Sequence, residues 1–338
     1  DMGHLNLESG KRQQHTSIDW SISCIRFIAF TFIIICHILQ YFGNGLCWWF
    51  NVGVQIFLAI SGYLYGTKQI SNDIEFYRRK FKQILVPYYI TVFPFILIQL
   101  IFFKNLIDYK RIFMVLLCNK TLEGGEHLWF IPTILVCYLL TPFLYRLYIS
   151  SSCLFKTMIM TLLGIFIMFK FFVPYFNPAW ISCYAISFTF GYAEKNRKML
   201  LVGRMQIGVV LLAILCNSVQ IIMVYMVKPN FVENIKNGFQ LFCNYSHVLL
   251  GIAIFILLRG IFQRLLKLNI IPHMLFNLFN ISDKYSYEGY LVHQFFILGP
   301  MSLMNITTNI YINILIALIL IFILTFFIKI IENHIFGK

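Results

Sequence analysis

Charge is what this sequence has least of. Charged residues make up 12% of its 338 positions, against about 25% in an ordinary soluble domain. Because 59% of the residues are hydrophobic, too few polar side chains remain to cover a core of that size in water. The shortage of charge therefore excludes a soluble globular protein and indicates an integral membrane protein.

Patterns that carry cofactors are missing as well. The nine cysteines form no CxxC pair and no zinc spacing, and no haem, flavin, nucleotide or metal pattern occurs. We therefore expect no metal and no bound cofactor. A net charge of +14 would suit a nucleic-acid partner, but the basic residues lie between apolar runs rather than on a polar domain, which argues against nucleic acid.

Long apolar runs are abundant. Ile207–Val227 and Ile310–Ile328 carry no charge, and about twenty such residues suffice to cross a hydrocarbon layer of about 30 Å. The pattern predicts an all-α integral membrane protein, with about ten transmembrane helices in one bundle. The predicted spans lie near residues 20–41, 50–66, 84–103, 127–148, 157–173, 178–193, 206–227, 239–258, 285–302 and 310–330. The expected domains are an N-terminal tail over 1–17, a membrane domain over 18–332 and a short tail over 333–338.

An even number of spans places both termini on one side of the membrane, and the basic residues choose the side. With the termini in the cytoplasm, the inner segments contain 19 Lys and Arg and the outer segments contain 6. Both termini are therefore predicted to be cytoplasmic. Abundant Ile, Phe, Lys and Asn are typical of an AT-rich bacterial genome, so we expect a multi-pass protein of the bacterial cytoplasmic membrane, in contact with membrane lipid.

Arg26 stands inside an apolar helix, where a charge costs about 2.5–3.5 kcal/mol on insertion scales. His37 follows three helical turns and about 20° later, so the two side chains share one helix face at an axial separation of about 16 Å. One interpretation is a structural ion pair for Arg26 and a hydrogen-bonded, neutral His37. The other is that both residues line one cavity at different depths.

Polar residues also interrupt two later stretches. In the second span, Ser61 and Gly62 are small residues of the kind that lets membrane helices pack closely, which is the alternative to a functional role for Ser61. Before the fourth span, Glu123, Glu126 and His127 form a polar cluster. This cluster is either a solvated loop or a site that orients an imidazole or binds sugar hydroxyls.

Several of these residues fall into sequence elements that occur in a fixed order. The elements are Arg26-x10-His37, Val54–Leu64, Tyr77–Tyr88, His127–Pro132 and Ser286–His293. Together they resemble the membrane acyltransferase family 3, which is marked by an Arg-x10-His first helix, an "FFxxSGFL"-like helix, a basic segment leading to a proline, an "HLWFLP" element and a "SYGIYLxH" element. The sequence departs from this pattern at Lys82, where many members carry a second arginine, and at Glu288, which replaces a small or apolar residue.

The resemblance implies acyl-CoA on the cytoplasmic side, with acetyl-CoA as the expected co-substrate, and a carbohydrate hydroxyl as acceptor. It implies that Arg78, Arg79 and Lys82 bind the CoA phosphates, although topology and anionic lipid also explain such charges. Histidine suits a general base because its ordinary pKa of about 6.5 lies near working pH. His37 is therefore the predicted base, and Arg26 is predicted to guide the pantetheine arm or stabilise charge on the thioester carbonyl.

Further residues are predicted to bind the acceptor or support the site: Glu123, Glu126, His127, Trp129, Ser61 and His293. Direct transfer and a transient acyl-histidine both stay open. So does an O-succinyltransferase, and envelope or capsule biosynthesis proteins are the expected partners. A polysaccharide or lipid-linked sugar exporter would explain the many spans, but it leaves the ordered elements unexplained and predicts repeated halves that this sequence does not show.

Overall fold

The computed structural model describes residues 5–103, 108–196, 198–226, 236–268 and 273–337, and these residues form helices without a strand. The α-helices, in chain order from α1 to α12, are Leu5–Tyr41, Cys47–Phe50, Val52–Gly66, Asp73–Phe102, Tyr109–Leu116, Phe130–Ile149, Leu154–Ile167, Pro178–Lys195, Met199–Met226, Lys236–Lys267, His273–Ile297 and Ile310–Phe336. A 3₁₀ turn over Glu126–Trp129 precedes α6, and a π-helical turn over Met168–Phe172 follows α7. Parts of four predictions lie outside the described residues. These parts are residues 1–4 and 338 of the two tails, residue 227 of one span, and residues 104–107, 197, 227–235 and 269–272 of the membrane domain.

The predicted all-helical membrane architecture is confirmed. The described part of the chain contains 8 helical stretches that are long and apolar enough to cross a membrane. They are Trp20–Tyr41, Cys47–Gly66, Asp73–Phe102, Glu126–Ile149, Leu154–Phe172, Val202–Val224, Gly238–Lys267 and Ile310–Phe336. The two other predicted spans, 178–193 and 285–302, correspond to α8 and to the end of α11. The number of crossings and the side of the termini stay predictions.

Side-chain oxygens define where several helices begin. Asn72 accepts a hydrogen bond from the backbone N–H of Glu75 at the start of α4, and Asn309 caps α12 in the same way. Such caps satisfy N–H groups that have no partner within the helix. α12 ends at Gly337, whose φ of 66° is left-handed and therefore easy for glycine.

The chain divides into two compact units. The first unit consists of Asp1–Phe32, Val52–Thr67 and Pro178–Lys284, and the second of Ile33–Asn51, Lys68–Asn177 and Tyr285–Lys338. α1 and α11 each contribute a part to both units.

The first unit is built on the contact between α3 and α8, with α9 and α10 packed around them. A β-carbon on Gly62 would lie 2.2 Å from the carbonyl oxygen of Tyr184, and one on Gly191 would lie 2.1 Å from that of Tyr63. These two helices therefore touch backbone to backbone, as small residues allow in membranes. This observation supports the packing interpretation of the Ser61-Gly62 pair.

The second unit is held together by tyrosine hydroxyls that reach backbone carbonyls. The hydroxyl of Tyr88 in α4 donates to the carbonyl of Val115 in α5 at 2.7 Å. The hydroxyl of Tyr287 in α11 donates to the carbonyl of Ile84 in α4 at 2.8 Å. Both bonds join neighbouring helices through a side chain rather than through a direct backbone contact.

Candidate active site

Three histidines meet in the second unit. The ring of His293 lies 5.0 Å from that of His37 and 4.7 Å from that of His127, measured between centroids, and the rings of His37 and His127 are 6.4 Å apart. They come from α1, α11 and the turn before α6. His127 and His293 are buried, whereas His37 is half-buried. We call these three residues the histidine cluster.

Hydrogen bonds assign a tautomer to each ring of the cluster. The Nδ1 atom of His37 lies 3.1 Å from the amide oxygen of Gln40, and that of His293 lies 2.7 Å from the carbonyl oxygen of Tyr290. Since these partners are acceptors, the proton is assigned to Nδ1 in both rings, which leaves Nε2 as the acceptor nitrogen. A neutral imidazole of this kind can take a proton from a hydroxyl group.

His127 has the opposite tautomer. Its Nε2 atom lies 3.1 Å from the carbonyl oxygen of Leu291, which assigns the proton to Nε2. Its Nδ1 atom is then the acceptor, and it is buried without a hydrogen-bond partner among the described residues. An unsatisfied buried nitrogen is costly, so this atom is suited to a donor brought by a substrate or by water.

Glu126 is linked to His127 by hydrogen bonds that pass through Gln294. The carboxylate of Glu126 accepts hydrogen bonds from the backbone N–H of Gly124 at 3.0 Å and from the side-chain amide of Gln294 at 2.7 Å. The amide oxygen of Gln294 in turn accepts the backbone N–H of His127 at 3.0 Å. An orienting glutamate was one of the alternatives that the sequence left open, and in the structure Glu126 is linked through Gln294 to the backbone N–H of His127.

The predicted phosphate-binding residues lie in the first turns of α4. Arg78, Arg79 and Lys82 are exposed, and the ammonium group of Lys82 lies 4.7 Å from the ring centroid of Phe336. Further along the same helix, Phe95 stacks on Phe295, with 3.9 Å between the ring centroids. The ring of Phe295 in turn packs against His127, so one helix carries both the basic segment and a contact near the histidine cluster.

Arg26 belongs to the first unit, where it forms an ion pair. Its Nη1 atom lies 2.6 Å from a carboxylate oxygen of Asp283, and the other oxygen accepts the hydroxyl of Ser23 at 2.9 Å. This pair matches one of the two interpretations of Arg26. A guanidinium group has five N–H donors, so one hydrogen bond does not exhaust its capacity to bind an anion.

The other predicted residues stand at the margins of these clusters. Glu123 accepts, through its backbone carbonyl, the side-chain amide of Gln99 at 3.0 Å. Trp129 is partly exposed and packs edge-on against Phe130. Ser61 is partly exposed within the first unit, in the helix that packs on α8.

Several residues near the candidate site were not predicted from the sequence. Gln294, Tyr290 and Gln40 each contact a member of the histidine cluster, but an isolated Gln or Tyr carries no spacing signal. Asp283 could have been proposed as the partner of Arg26 from the sequence. An intramembrane arginine needs an acidic partner, and the chain has only 13 acidic residues to choose from. Glu288, at which the sequence departs from the family pattern, is buried and ion-paired. Its carboxylate accepts a hydrogen bond from the ammonium group of Lys329 at 2.8 Å.

Comparison with known families now decides the classification. The model of acyltransferase family 3, described as an acyltransferase domain, matches residues 19–331. The chain belongs to this family. It is therefore an acyltransferase-family protein, and its apolar helices make it a multi-pass membrane protein. No curated protein matches the chain, and no solved structure matches it.

Proposed function

We propose that this member of acyltransferase family 3 transfers an acetyl group from cytoplasmic acetyl-CoA to a hydroxyl of a cell-surface or lipid-linked carbohydrate. The observation that carries the proposal is the histidine cluster, in which a half-buried imidazole presents an acceptor nitrogen beside two buried imidazoles. The proposed setting is the bacterial cytoplasmic membrane, with envelope or capsule biosynthesis proteins as partners.

The proposed chemistry runs through Nε2 of His37. The acceptor oxygen attacks the thioester carbonyl while its proton passes to this nitrogen. The carbon–sulfur bond then breaks, and the CoA sulfur leaves with the proton that His37 returns. The hydrogen bond from Nδ1 to Gln40 supports this role, because it fixes the tautomer that accepts at Nε2.

The CoA phosphates are proposed to bind the basic residues near the start of α4. From Arg79 and Lys82 to Phe95 the helix rises by about 20–24 Å at 1.5 Å per residue. This offset suits a donor whose phosphates bind at the membrane surface and whose thioester reacts within the hydrocarbon layer, which is about 30 Å thick. Lys82 binds phosphate as a point charge, whereas Arg78 and Arg79 offer planar forks.

Arg26 is proposed to act on the donor, either on the pantetheine arm or on the developing charge of the thioester carbonyl. Asp283 neutralises part of its charge, and the remaining N–H donors of the guanidinium group supply the contacts. On the acceptor side, Trp129 is the partly exposed aromatic residue proposed to stack on a sugar, and Glu123 is proposed to support the acceptor.

The test is transfer of radiolabelled acetyl groups from acetyl-CoA to cell-envelope glycans. Membranes would contain matched amounts of the wild type, of His37→Gln, or of His334→Gln, an exposed histidine near the end of α12. Loss of a general base lowers the rate by about 10²–10⁴-fold, so we expect that loss in His37→Gln and none in His334→Gln. Release of the CoA thiol, followed in parallel, reports on the same step.

Each alternative gives a distinct result. Label transfer from succinyl-CoA but not from acetyl-CoA would replace the donor and keep the reaction. Equal rates in the wild type and His37→Gln would refute His37 as the base and direct the search to His127 and His293. Absence of transfer and of thiol release with both donors and a panel of purified glycans would reject carbohydrate O-acylation.

A further inference from the structure

A groove lies between α6 and α7 in the second unit, away from the histidine cluster along the chain. It encloses about 370 Å³ and is lined by apolar side chains that include Phe143, Leu147, Met160 and Met168. At Gly164 the lining lacks a side chain, and a β-carbon there would meet nothing within 4 Å. Both helices are apolar enough to cross a membrane, and Phe143, Met160 and Met168 are exposed, so we infer that the groove opens toward the hydrocarbon layer.

One polar atom interrupts this lining. Thr161 is 8% exposed, and its hydroxyl is buried without a hydrogen-bond partner among the described residues. A threonine in a helix ordinarily donates to the carbonyl four residues earlier, as Thr157 does to Cys153. The hydroxyl of Thr161 is therefore a buried donor in the wall of an apolar groove, where its unsatisfied state is costly.

Positive charge lies at one end of the groove. Lys156 precedes Met160 by one turn on α7, and Arg146 follows Phe143 by one turn on α6. The two helices are antiparallel neighbours joined by residues 150–153, so both cations lie at the same end. Arg146 is paired with Asp73, whereas Lys156 is exposed and has no acidic partner in the described part of the chain. The charge asymmetry of the sequence predicts that this end faces the cytoplasm.

We propose that the groove is a binding site for an anionic, ester-linked phospholipid. Its phosphate pairs with Lys156, an ester carbonyl accepts the hydroxyl of Thr161, and an acyl chain lies over Gly164. The order along the axis of α7 agrees with the order of groups in such a lipid, since Thr161 lies about 7.5 Å and Gly164 about 12 Å from Lys156 along that axis at 1.5 Å per residue. A polyprenyl phosphate carrier shares the phosphate and the hydrocarbon but has no ester carbonyl for Thr161.

The test measures lipid retained by the purified full-length chain, reconstituted in nanodiscs with equal amounts of phosphatidylglycerol and phosphatidylcholine and then released into mild detergent for native mass spectrometry. Lys156→Gln is expected to lower retention of phosphatidylglycerol about fivefold and to leave phosphatidylcholine unchanged, as for the loss of one interfacial lysine. Gly164→Leu fills the groove and is expected to lower retention of both lipids. Thr161→Val is expected to lower the retention of diester phosphatidylglycerol and of diester phosphatidylcholine about fivefold. In a separate reconstitution with diether phosphatidylglycerol, which has no ester carbonyl, the same variant is expected to retain lipid as the wild type does.

Two matched controls separate the groove from general effects. Lys198→Gln removes another exposed lysine, and Gly208→Leu adds a side chain on α9, where a β-carbon also meets nothing within 4 Å. Both are expected to retain lipid as the wild type does, and melting temperatures in detergent confirm that all variants fold. Equal retention in all variants would overturn the proposal. The proposal would also be overturned if the chain purified from native membranes retained a polyprenyl phosphate instead of a phospholipid, and if Thr161→Val did not change that retention.

Discussion

The two units of this protein bring helices together in opposite ways. In the first unit, glycines remove side chains, so that α3 and α8 touch through their backbones at Gly62 and Gly191. In the second unit, tyrosine and glutamine side chains reach across to backbone carbonyls, as Tyr88 does to α5 and Tyr287 does to α4. The first arrangement brings the backbones of α3 and α8 into contact, and the second joins helices through side chains.

This difference explains where the histidine cluster lies. An interface with backbones in contact cannot hold three imidazole rings, whereas helices held apart by hydrogen bonds can. Each tyrosine bond also satisfies a backbone carbonyl, which lowers the cost of a polar group in the interior of a membrane protein. The second unit therefore carries the histidine cluster, and the first unit contains Arg26 with its ion-pair partner Asp283.

The largest loss of stability is expected when a buried cation of the second unit is removed. Lys329→Met leaves two carboxylates, those of Glu288 and Glu332, buried without their shared ammonium group. Breaking such a pair costs about 3–5 kcal/mol. Thermal unfolding in detergent should show this loss, and Lys329→Met combined with Glu288→Gln and Glu332→Gln should recover most of it. A single variant as stable as the wild type would contradict the assignment.

A smaller loss is expected from the corresponding change in the first unit. Arg259→Met removes a guanidinium group that binds Glu194 through two hydrogen bonds and lies 4.3 Å from the ring centroid of Tyr63. Since Glu194 is partly exposed and can be hydrated, the loss should stay below that of Lys329→Met, at about 2–3 kcal/mol. The same unfolding assay ranks the two variants, and the reverse order would show that the first unit depends more on its ion pair.

Adding one methyl group tests the backbone contact itself. Gly62→Ala places a β-carbon against the carbonyl of Tyr184, and overpacking of this kind costs about 1–3 kcal/mol. Gly208→Ala is the matched control, because its β-carbon meets nothing and alanine favours a helix by up to about 1 kcal/mol. Melting temperatures should therefore fall in the first variant and stay or rise in the second. A neutral Gly62→Ala would mean that α3 and α8 separate at low cost.

The smallest effects are expected from single tyrosine hydroxyls of the second unit. Tyr290→Phe removes the bond to the carbonyl of His127, and Tyr88→Phe removes the bond to Val115. Each should cost about 0.5–1.5 kcal/mol of stability. Only Tyr290→Phe is expected to lower acetyl transfer, by about tenfold, because it alone frees a residue of the histidine cluster. Equal activity in the two variants would show that this hydroxyl does not position the cluster.

Much of the candidate site follows from the sequence, and some of it does not. His37, His127 and His293 were all predicted because they stand in ordered elements of a known family. Their mutual distances were not, because no pattern in one helix states which residues of another it meets. Glu126 was predicted to bind the acceptor or support the site, but its contact with Gln294 depends on the way α11 approaches the turn before α6.

Composition and the long apolar runs determined that this protein is helical and membrane-spanning, since only helices and closed barrels satisfy the backbone within hydrocarbon and runs of about twenty apolar residues suit helices. Ordered motifs determined its family. The tertiary structure alone decided that Arg26 pairs with Asp283, that Lys329 compensates Glu288, and that three histidines separated by 256 residues of chain from first to last share one cluster. The physical reason is that apolar faces specify burial but not partners, and hydrogen-bond geometry becomes defined only when helices pack.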